Sequence, residues 1–413
     1  MKVLHINQSD ISGGAAIAAY RLHEGLLAQQ VDSRLLVGKQ TLDDERITAM
    51  PRRYRLDNQF SRLTRPLGLN YINIVSTFDI PKLPLYQSVD ILNFHNLHYR
   101  PEMGYFNYLA LSKLTQEKPA VFTLHDMWSF TGHCAYSYDC DRWKTGCGQC
   151  RHPETYPAIQ RDSTNVEWRL KNWTYGRSRL TIVAPSRWLA EQARQSMLGQ
   201  FEVHHIPYGI DIQAYQPLDP EQCRTVLGIS TTTKVLMFGA KNLGQDRKGS
   251  DLLLAALQKL PHSIKKNVLL LAMGNNNHKD IEQLTGINTL ALGYLDNDRL
   301  KAVAYSAADL FVLPSRADNL PLVLQESMAC GTPMLSFNTG GIPDLIRPGI
   351  TGYLAQPEYA DDLGNGILEL LEDNEQRKLM GQQCRAIAVK EYALERQAQL
   401  YKKLYTHLLT TGN

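Results

Sequence analysis

The dominant feature of this chain is an alternation of short β-branched or apolar runs with helix-length amphipathic segments, which occurs once in each half of the sequence. Such alternation is typical of parallel sheets whose strands are joined by crossover helices. A chain of 413 residues is too long for one ordinary hydrophobic core. The sequence therefore predicts an α/β protein with two Rossmann-like domains.

The predicted strands outline both sheets. In the first half they are Val3–Asn7, Ser33–Val37, Asp90–Phe94, Ala120–His125, Leu180–Ala184 and Val203–Ile206. In the second half they are Lys234–Phe238, Val268–Met273, Thr289–Leu292, Leu310–Leu313 and Pro333–Ser336, with helices at Ser250–Lys259, Asp298–Ser306 and Leu322–Ala329. The last thirty residues are predicted to be wholly helical.

Pro207 and Gly209 lie between periodic blocks and indicate the crossing between domains. We predict an N-terminal domain over residues 1–208 with a cysteine-rich insertion at about 131–153, a C-terminal domain over 209–388, and a final helix over 389–413 that packs back on the N-terminal domain. Ligands of open parallel sheets bind beyond the carboxyl ends of strands. Residues that directly follow strands are therefore the first site candidates.

Composition excludes several classes of protein. The net charge is only +3, from 44 basic and 41 acidic residues, so we expect no nucleic-acid partner. The longest apolar runs, such as 267–273, are far shorter than the roughly 20 residues that span a membrane. The N-terminus lacks the features of a signal peptide, which favours a cytoplasmic location and reduced thiols.

One stretch, residues 51–65, differs in character from the rest. It carries Arg52, Arg53, Arg55, Arg62 and Arg65 among Tyr54, Phe60 and Leu63. It could contact anionic lipid head groups at the inner face of the membrane, or an acceptor phosphate. A solvated basic loop is the simpler alternative, and we favour it.

The most informative segment runs from Leu313 to Gly331, where a strand ends, a polar loop turns and a helix begins. Pro321 suits the first helical turn and Asp318 or Asn319 could cap it, so free N–H groups and the helix dipole would favour a diphosphate. Glu326 lies one to two turns into the helix, where a carboxylate can accept hydrogen bonds from two ribose hydroxyls. Asp318 as a simple cap and Glu326 as an exposed helix residue remain alternatives.

This segment resembles the acidic-x7-Glu signature of the family-4 retaining glycosyltransferases, which have the GT-B fold of two Rossmann-like domains facing a cleft. The resemblance extends nearly end to end. It includes Gly13-Gly14, His125, Pro185–Trp188, Ile206–Asp211, Arg247–Gly249, Gly293–Leu295 and Gly340–Asp344. Each short motif is weak alone, but their order along the chain is specific.

The resemblance implies roles for particular residues. Glu326 would hold the donor ribose, Lys248 would neutralise the diphosphate, and Asp318 and His125 would contact the transferred sugar. Further donor contacts are predicted at Gly13, Gly14, Lys241, Arg247, Tyr294, Leu295, Asn319 and Leu320. In this family the leaving phosphate is thought to help deprotonate the acceptor, so we expect no protein base. The acidic-x-acidic patterns Asp139-Cys140-Asp141 and Asp296-Asn297-Asp298 are too short to be specific and do not clearly follow a strand, so we expect no catalytic metal.

Two positions depart from the family pattern. Asp318 stands where the family usually has Glu, which shortens the carboxylate by one methylene. Ala240 follows Gly239 where a phosphate-binding Arg is usual, so Lys241 or Arg247 would have to substitute. A lysine lacks the guanidinium fork, and the replacement would change the geometry of phosphate binding.

The function that this resemblance implies is retaining transfer of a sugar from a UDP- or GDP-linked donor to a saccharide or lipid-linked acceptor. A nucleotide-sugar epimerase of the same fold and a non-catalytic sugar-nucleotide-binding protein are the alternatives. An epimerase would need acid and base residues facing the sugar. A binding protein would be favoured if the departures at Ala240 and Asp318 have disabled transfer.

A separate prediction concerns Cys134, Cys140, Cys147 and Cys150, which end in a Cys-x-x-Cys pair. Four thiolates in one irregular segment could close a tetrahedral structural zinc site, with His133 as an alternative ligand. Reduced thiols or a disulfide are alternatives of equal weight to the zinc site. The remaining cysteines fit isolated thiols.

Overall fold

A computed structural model describes residues 1–98, 104–242, 246–275 and 278–411. The strands are β1 (Lys2–Ser9), β2 (Asp32–Lys39), β3 (Ile47–Ala49), β4 (Ile91–Phe94), β5 (Ala120–Thr123), β6 (Thr181–Ala184), β7 (Val203–His205), β8 (Lys234–Asn242), β9 (Val268–Asn275), β10 (Asn288–Gly293), β11 (Leu310–Leu313), β12 (Met334–Phe337) and β13 (Gly352–Ala355).

The helices alternate with these strands. They are α1 (Gly14–Ala28), α2 (Tyr54–Thr64), α3 (Pro84–Ser88), α4 (Leu111–Leu114), α5 (Thr164–Tyr175), α6 (Arg187–Arg194), α7 (Pro220–Val226), α8 (Ser250–Lys259), α9 (His262–Asn267), α10 (His278–Thr285), α11 (Asp298–Ala307), α12 (Leu322–Ala329), α13 (Ala360–Glu372), α14 (Asn374–Glu391) and α15 (Leu394–Thr411). The chain forms two compact units, Met1–Gly209 with Glu395–Asn413, and Ile210–Leu394.

The first unit contains a parallel sheet with strand order β3-β2-β1-β4-β5-β6-β7. Every residue of β4, β5 and β6 is buried, which is why these strands appear in the sequence as continuous apolar runs. The strand order reverses direction between β1 and β4. The carboxyl ends of these two neighbours therefore form the crevice where α/β sheets bind ligands.

Helix α15 packs on this first sheet, as predicted for the C-terminal helix. The Asn93 amide donates to the Tyr405 hydroxyl at 2.7 Å, and the Thr123 and Tyr401 hydroxyls lie 2.9 Å apart. Both tyrosines are fully buried beside Val3 in one apolar cluster. The last helix thus completes the core that the first strand begins.

The second unit contains a parallel sheet with order β10-β9-β8-β11-β12-β13. Its strand order reverses between β8 and β11, which pair through Phe238 and Val312. Strand β11 and helices α8 and α12 have the predicted bounds. The loops that follow β8 and β11 therefore meet at the ligand-binding edge of this sheet.

The structure differs from the predicted tail and boundaries. Helix is interrupted at Tyr392 and Ala393, because the Ile210 N–H donates to the Tyr392 carbonyl and the Leu394 N–H donates to the Ile210 carbonyl. The units divide after Gly209 and after Leu394, whereas we predicted boundaries after 208 and 388. The short edge strands β3 and β13 were not predicted.

The basic stretch forms helix α2, so the prediction of a solvated loop is wrong. Its inward side is polar: buried Asp57 accepts from Arg52 at 2.8 Å and from the Ser76 hydroxyl at 2.7 Å, and Ser61 accepts from the Asn73 amide. Its apolar side chains point away from the unit and are exposed: Tyr54, Leu56, Phe60 and Leu63, followed by Leu67. No helix in the described ranges is long and apolar enough to cross a membrane.

Candidate active site

The candidate site in the second unit is built by two loops that follow β8 and β11. The first contains the turn Asp246–Lys248 before α8, and the second contains residues 314–321 before α12. The Arg316 N–H donates to the Arg247 carbonyl at 2.9 Å and joins the two loops. Adjacent strands thus deliver residues from distant parts of the chain to one place.

Two glycines permit this close packing. Gly249 has φ +63°, and a Cβ there would overlap the carbonyl oxygen of Pro314. Gly340 has φ +55°, and its Cβ would overlap the carbonyl oxygen of Asp318. Only glycine tolerates both the left-handed backbone and the contact. The glycines of two resemblance motifs are therefore requirements of loop packing.

Arg247, Lys248 and Asp318 form one charged cluster. Asp318 Oδ2 lies 2.7 Å from Lys248 Nζ and 3.2 Å from Arg247 Nη1, and Arg247 also donates to the Ala317 carbonyl. Burial by itself raises the pKa of Asp318, but the two cations outweigh burial and lower it. Burial lowers the pKa of Lys248, and Asp318 opposes that shift. Two cations therefore share one ionised carboxylate.

Arg316 fixes the turn that carries these cations. Its guanidinium donates to both carboxylate oxygens of Asp251, at 2.8 and 2.6 Å, and to Glu358 at 3.0 Å. It also donates to the Asp246 carbonyl at 2.5 Å. Arg316 was not predicted as a site residue, although it lies within the segment Leu313–Gly331, three residues after the end of β11.

Glu326 is the fifth residue of α12 and is only 5% exposed. The alternative prediction, that Glu326 is an exposed helix residue, is therefore wrong. The Tyr305 hydroxyl donates to its Oε2 at 3.2 Å. Pro321, rather than the predicted Asp318 or Asn319, occupies the N-cap position of α12, and its side chain makes no capping hydrogen bond. Asp318 binds the two cations instead.

The other residues predicted to contact the donor lie in the loop before α12, in the turn after β10 and at the end of β8. Asn319 and Leu320 are buried in the loop before α12, with the Asn319 N–H donating to Asp318 Oδ1 at 3.2 Å. Tyr294 is half exposed directly after Gly293, whose φ is +66°, and Leu295 follows it. The Lys241 side chain lies outside the described residues, so its predicted role stays a prediction.

In the first unit, Gly13 and Gly14 follow β1 and begin α1. Gly13 has φ +101°, and a Cβ at either glycine would meet open space. The loop is anchored by Asp10, which the sequence analysis missed. Its carboxylate accepts from the backbone N–H groups of Thr41 and Leu42 at 2.5 and 2.7 Å. Burial raises the pKa of Asp10, but these hydrogen bonds outweigh burial and lower it to about 2.

Strand β5 ends at Thr123, two residues before His125, whereas the predicted strand extended to His125. Its Nε2 lies 3.1 Å from Nδ1 of His95, and its Nδ1 lies 2.7 Å from the Tyr208 hydroxyl. Burial lowers the pKa of His125 to about 4, although Asp126 opposes the shift. His125 is therefore a neutral imidazole at pH 7, held on both sides.

The four clustered cysteines do not assemble a metal site. Cys134, Cys140, Cys147 and Cys150 are free thiols, and the described residues contain no group of three or more His, Cys, Asp or Glu placed to hold a metal ion. His133 Nε2 contacts Cys150 Sγ at 3.2 Å. Burial raises the pKa of Cys134 to about 12 and of Cys147 to about 11, which favours protonated thiols. The geometry therefore does not fit the predicted zinc site.

The sequence matches two family profiles that together span most of the chain: "Glycosyltransferase Family 4" over residues 12–214 and "Glycosyl transferases group 1" over residues 224–386. The glycosyl transferase WcaC of Escherichia coli K12, whose name assigns it to colanic acid biosynthesis, is 27% identical over 370 residues, which cover 84% of this chain and 85% of the relative. The chain belongs to the family-4 glycosyltransferases. The predicted family and enzyme class are confirmed.

Solved structures confirm the GT-B fold of this glycosyltransferase. Sucrose-phosphate synthase from Thermosynechococcus elongatus aligns with a TM-score of 0.72 at 19% identity, over 99% of both chains. Anabaena HepE in complex with UDP-glucose aligns with a TM-score of 0.67 at 18% identity, over 99% of this chain and 100% of that chain. At such identities the likeness establishes the fold, while the chemistry must be argued from the residues.

We expect Gly249→Ala to cost about 2–3 kcal/mol of unfolding free energy, because it combines a strained backbone with overlap of the Pro314 carbonyl oxygen. The matched control is Gly228→Ala, where φ is +70° but a Cβ meets open space, and it should cost only about 1 kcal/mol. Urea unfolding measures both. Equal losses in the two variants would contradict a close-packing role for Gly249.

We expect Asp10→Asn to lower the free energy of unfolding by about 2 kcal/mol at pH 7. The folded pKa of Asp10, about 2, lies below the ordinary value, so its contribution is complete above about pH 4 and is lost as the pH falls towards 2. The difference in unfolding free energy between wild type and Asp10→Asn should thus become smaller as the pH falls. Asp43→Asn, an exposed carboxylate nearby, is the control. A gap that is independent of pH would contradict the assignment.

Proposed function

We propose that this glycosyltransferase moves a sugar, with retention of anomeric configuration, from a nucleotide diphosphate sugar bound by the second unit to a saccharide or lipid-linked acceptor bound by the first. The observation that carries the proposal is the cluster of Arg247 and Lys248 beside the loop that begins α12, at the reversal point of the second sheet. Such crevices bind nucleotides, and helix N-termini bind phosphate.

The chemistry requires these cations. As the bond between the sugar and the phosphate breaks, negative charge grows on the departing diphosphate, and fixed cations stabilise it without reorganisation. Asp318 forms ion pairs with both cations. A diphosphate would replace Asp318 as the partner of Lys248. The carboxylate of Asp318 would then be able to accept a hydrogen bond from a hydroxyl of the transferred sugar.

Glu326 is the residue that we assign to the donor ribose. A carboxylate can accept from two vicinal hydroxyls, and charge-assisted hydrogen bonds of this kind are strong. The Tyr305 hydroxyl bonds Oε2 and fixes the orientation of the carboxylate. Structures of HepE with UDP and with UDP-glucose support a UDP-linked donor as the first candidate, with a GDP-linked donor as the alternative.

We expect Glu326→Gln to weaken donor binding about tenfold to a hundredfold, because the amide loses the charge and one acceptor while keeping the shape. Calorimetry with UDP-glucose and GDP-mannose measures the donor affinity, and the thermal unfolding temperature checks the fold. Glu372→Gln, at the end of α13, is the control. Unchanged affinity for every donor that the wild type binds would remove the assignment.

Helix α2 of the first unit is the part of the protein that we propose contacts a membrane surface. The α2 face is defined by the exposed side chains of Leu56, Phe60, Leu63 and Leu67 together with Arg55 and Arg62. Leu63 is 69% exposed, while Asp57 and Ser61 on the polar side of the helix are hydrogen-bonded to the rest of the unit. Apolar side chains flanked by arginines suit the boundary between acyl chains and anionic head groups.

An aqueous environment alone does not explain this arrangement, because a helix on a water-exposed surface ordinarily buries its apolar side. Asp57 instead anchors α2 through Arg52 and Ser76, and the apolar residues remain outside. We propose that the α2 face lies on an anionic bilayer, where a lipid-linked acceptor would be found. This location corresponds to the inner face of the cell membrane.

We expect the protein to bind vesicles that contain phosphatidylglycerol, and vesicles of phosphatidylcholine alone more weakly, with binding reduced by salt. Phe60→Ser with Leu63→Ser should weaken binding about tenfold or more, since two apolar side chains no longer enter the interface. Leu379→Ser with Val389→Ser removes exposed apolar side chains from α14 and is the control. Vesicle sedimentation measures both. Equal binding by the two double variants would contradict the α2 face.

A further inference from the structure

A continuous chain of hydrogen bonds runs through the interior of the first unit and ends at His125. His5 lies on β1, His95 directly follows β4, and His125 follows β5. His5 Nδ1 lies 2.9 Å from His95 Nε2, and His95 Nδ1 lies 3.1 Å from His125 Nε2. The chain continues from His125 Nδ1 to the Tyr208 hydroxyl at 2.7 Å. The centroids of successive rings are 5.1 to 5.5 Å apart.

The three imidazoles are neutral at pH 7. Burial lowers the pKa of His5 to about 3 and of His125 to about 4, and it lowers the pKa of His95 well below the ordinary value. His23, beside His5, opposes a positive charge on His5. His98 opposes a positive charge on His125, whereas Asp126 favours it. Each ring therefore carries one proton, on Nδ1 or on Nε2.

One proton per ring leaves only two arrangements for the whole chain. Each nitrogen–nitrogen contact needs one donor and one acceptor, so a choice at one ring fixes the next. Either all three rings carry the proton on Nδ1 and donate towards Tyr208, or all three carry it on Nε2 and the Tyr208 hydroxyl donates to His125. The tautomer of His125 is thus coupled to that of a residue on β1.

The far end of the chain selects between the two arrangements. His5 Nε2 is buried and has no hydrogen-bond partner in the described structure. The Nε2–H arrangement would leave an N–H group there without an acceptor, and buried unpaired N–H groups are rarer and costlier than unpaired lone pairs. The Nδ1–H arrangement leaves only a lone pair at that position. It is therefore the favoured state.

We propose that His5 and His95 are positioning residues that hold His125 in the Nδ1–H tautomer, so that His125 offers a hydrogen-bond donor at Nδ1 and an occupied acceptor at Nε2. The inference rests on the proposed sugar transfer and on the contact between His125 and the transferred sugar that the family resemblance implies. A sugar hydroxyl that accepts from His125 would take the place of the Tyr208 hydroxyl. Specificity for a hydroxyl at that position would thus be set by a residue two strands away.

The chain does not act as a route for protons to leave the site. A relay needs an acceptor at its far end, and His5 Nε2 is buried with no partner. Transfer of a proton along the chain would therefore end on a ring from which it cannot pass onward. Setting the tautomer requires no net transfer, so it agrees with a closed end.

Nitrogen NMR of the ligand-free protein with labelled histidine tests the inference. We expect His5, His95 and His125 to be neutral and protonated at Nδ1 at pH 7, with couplings across the hydrogen bonds between successive rings. Protonation at Nε2, or doubly protonated rings, would overturn the proposal. This measurement needs no activity and no variant, so it remains decisive if the proposed sugar donors prove wrong.

Variants add a functional readout. His95→Phe should abolish the tautomer preference of His125 and lower kcat/KM for the donor roughly tenfold or more, without changing KM for the acceptor. His95→Gln keeps one donor and one acceptor and should recover part of the loss. Tyr401→Phe, which removes a buried hydroxyl outside the chain, is the control and should retain the His125 tautomer. Equal effects of His95→Phe and His95→Gln on tautomer and rate would overturn the positioning role.

Discussion

The ion pair between Lys248 and Asp318 is the interaction on which the candidate site depends. Two adjacent cations, Arg247 and Lys248, can be held together in a part-buried loop only because a carboxylate lies between them and offsets their repulsion. That carboxylate reaches them because Gly249 and Gly340 allow three loop segments to pack backbone against backbone. Under the proposed function, a diphosphate would take the place that Asp318 occupies beside Lys248.

Much of the architecture could be predicted from the sequence. Strand β11 and helix α12 have strong local signals, and both occur at the predicted bounds. The break at Tyr392 and Ala393 has no such signal, because it arises from hydrogen bonds to Ile210, far away in the chain. The edge strands β3 and β13 contain exposed or half-buried positions and lack the continuous apolar run of the fully buried β11. Local signals predicted elements, and long-range pairing decided where some of them end.

The site residues also divide into those with a local sequence signal and those that depend on long-range contacts. Lys248 and Glu326 were predicted through resemblance, since their motifs are contiguous in the sequence. Arg316, Asp10 and Tyr208 were missed or given no role because their importance lies in hydrogen bonds to distant segments. The cysteine spacing suggested zinc, but spacing says nothing about whether four side chains converge, and here they form no metal-binding group within the described residues. Spacing is informative only where the backbone between the residues is itself predictable.

The position of α15 has a consequence for how the protein is made. The helix is encoded after the entire second unit, yet Tyr401 and Tyr405 fill the core beneath Val3 and its neighbours. During synthesis the second unit, which is contiguous, can close its core first. On the first sheet, the part of the apolar cluster that α15 covers stays exposed until translation is nearly finished. The order of domain completion is therefore the reverse of their order of emergence, and the nascent N-terminal half is the species that most needs protection from aggregation.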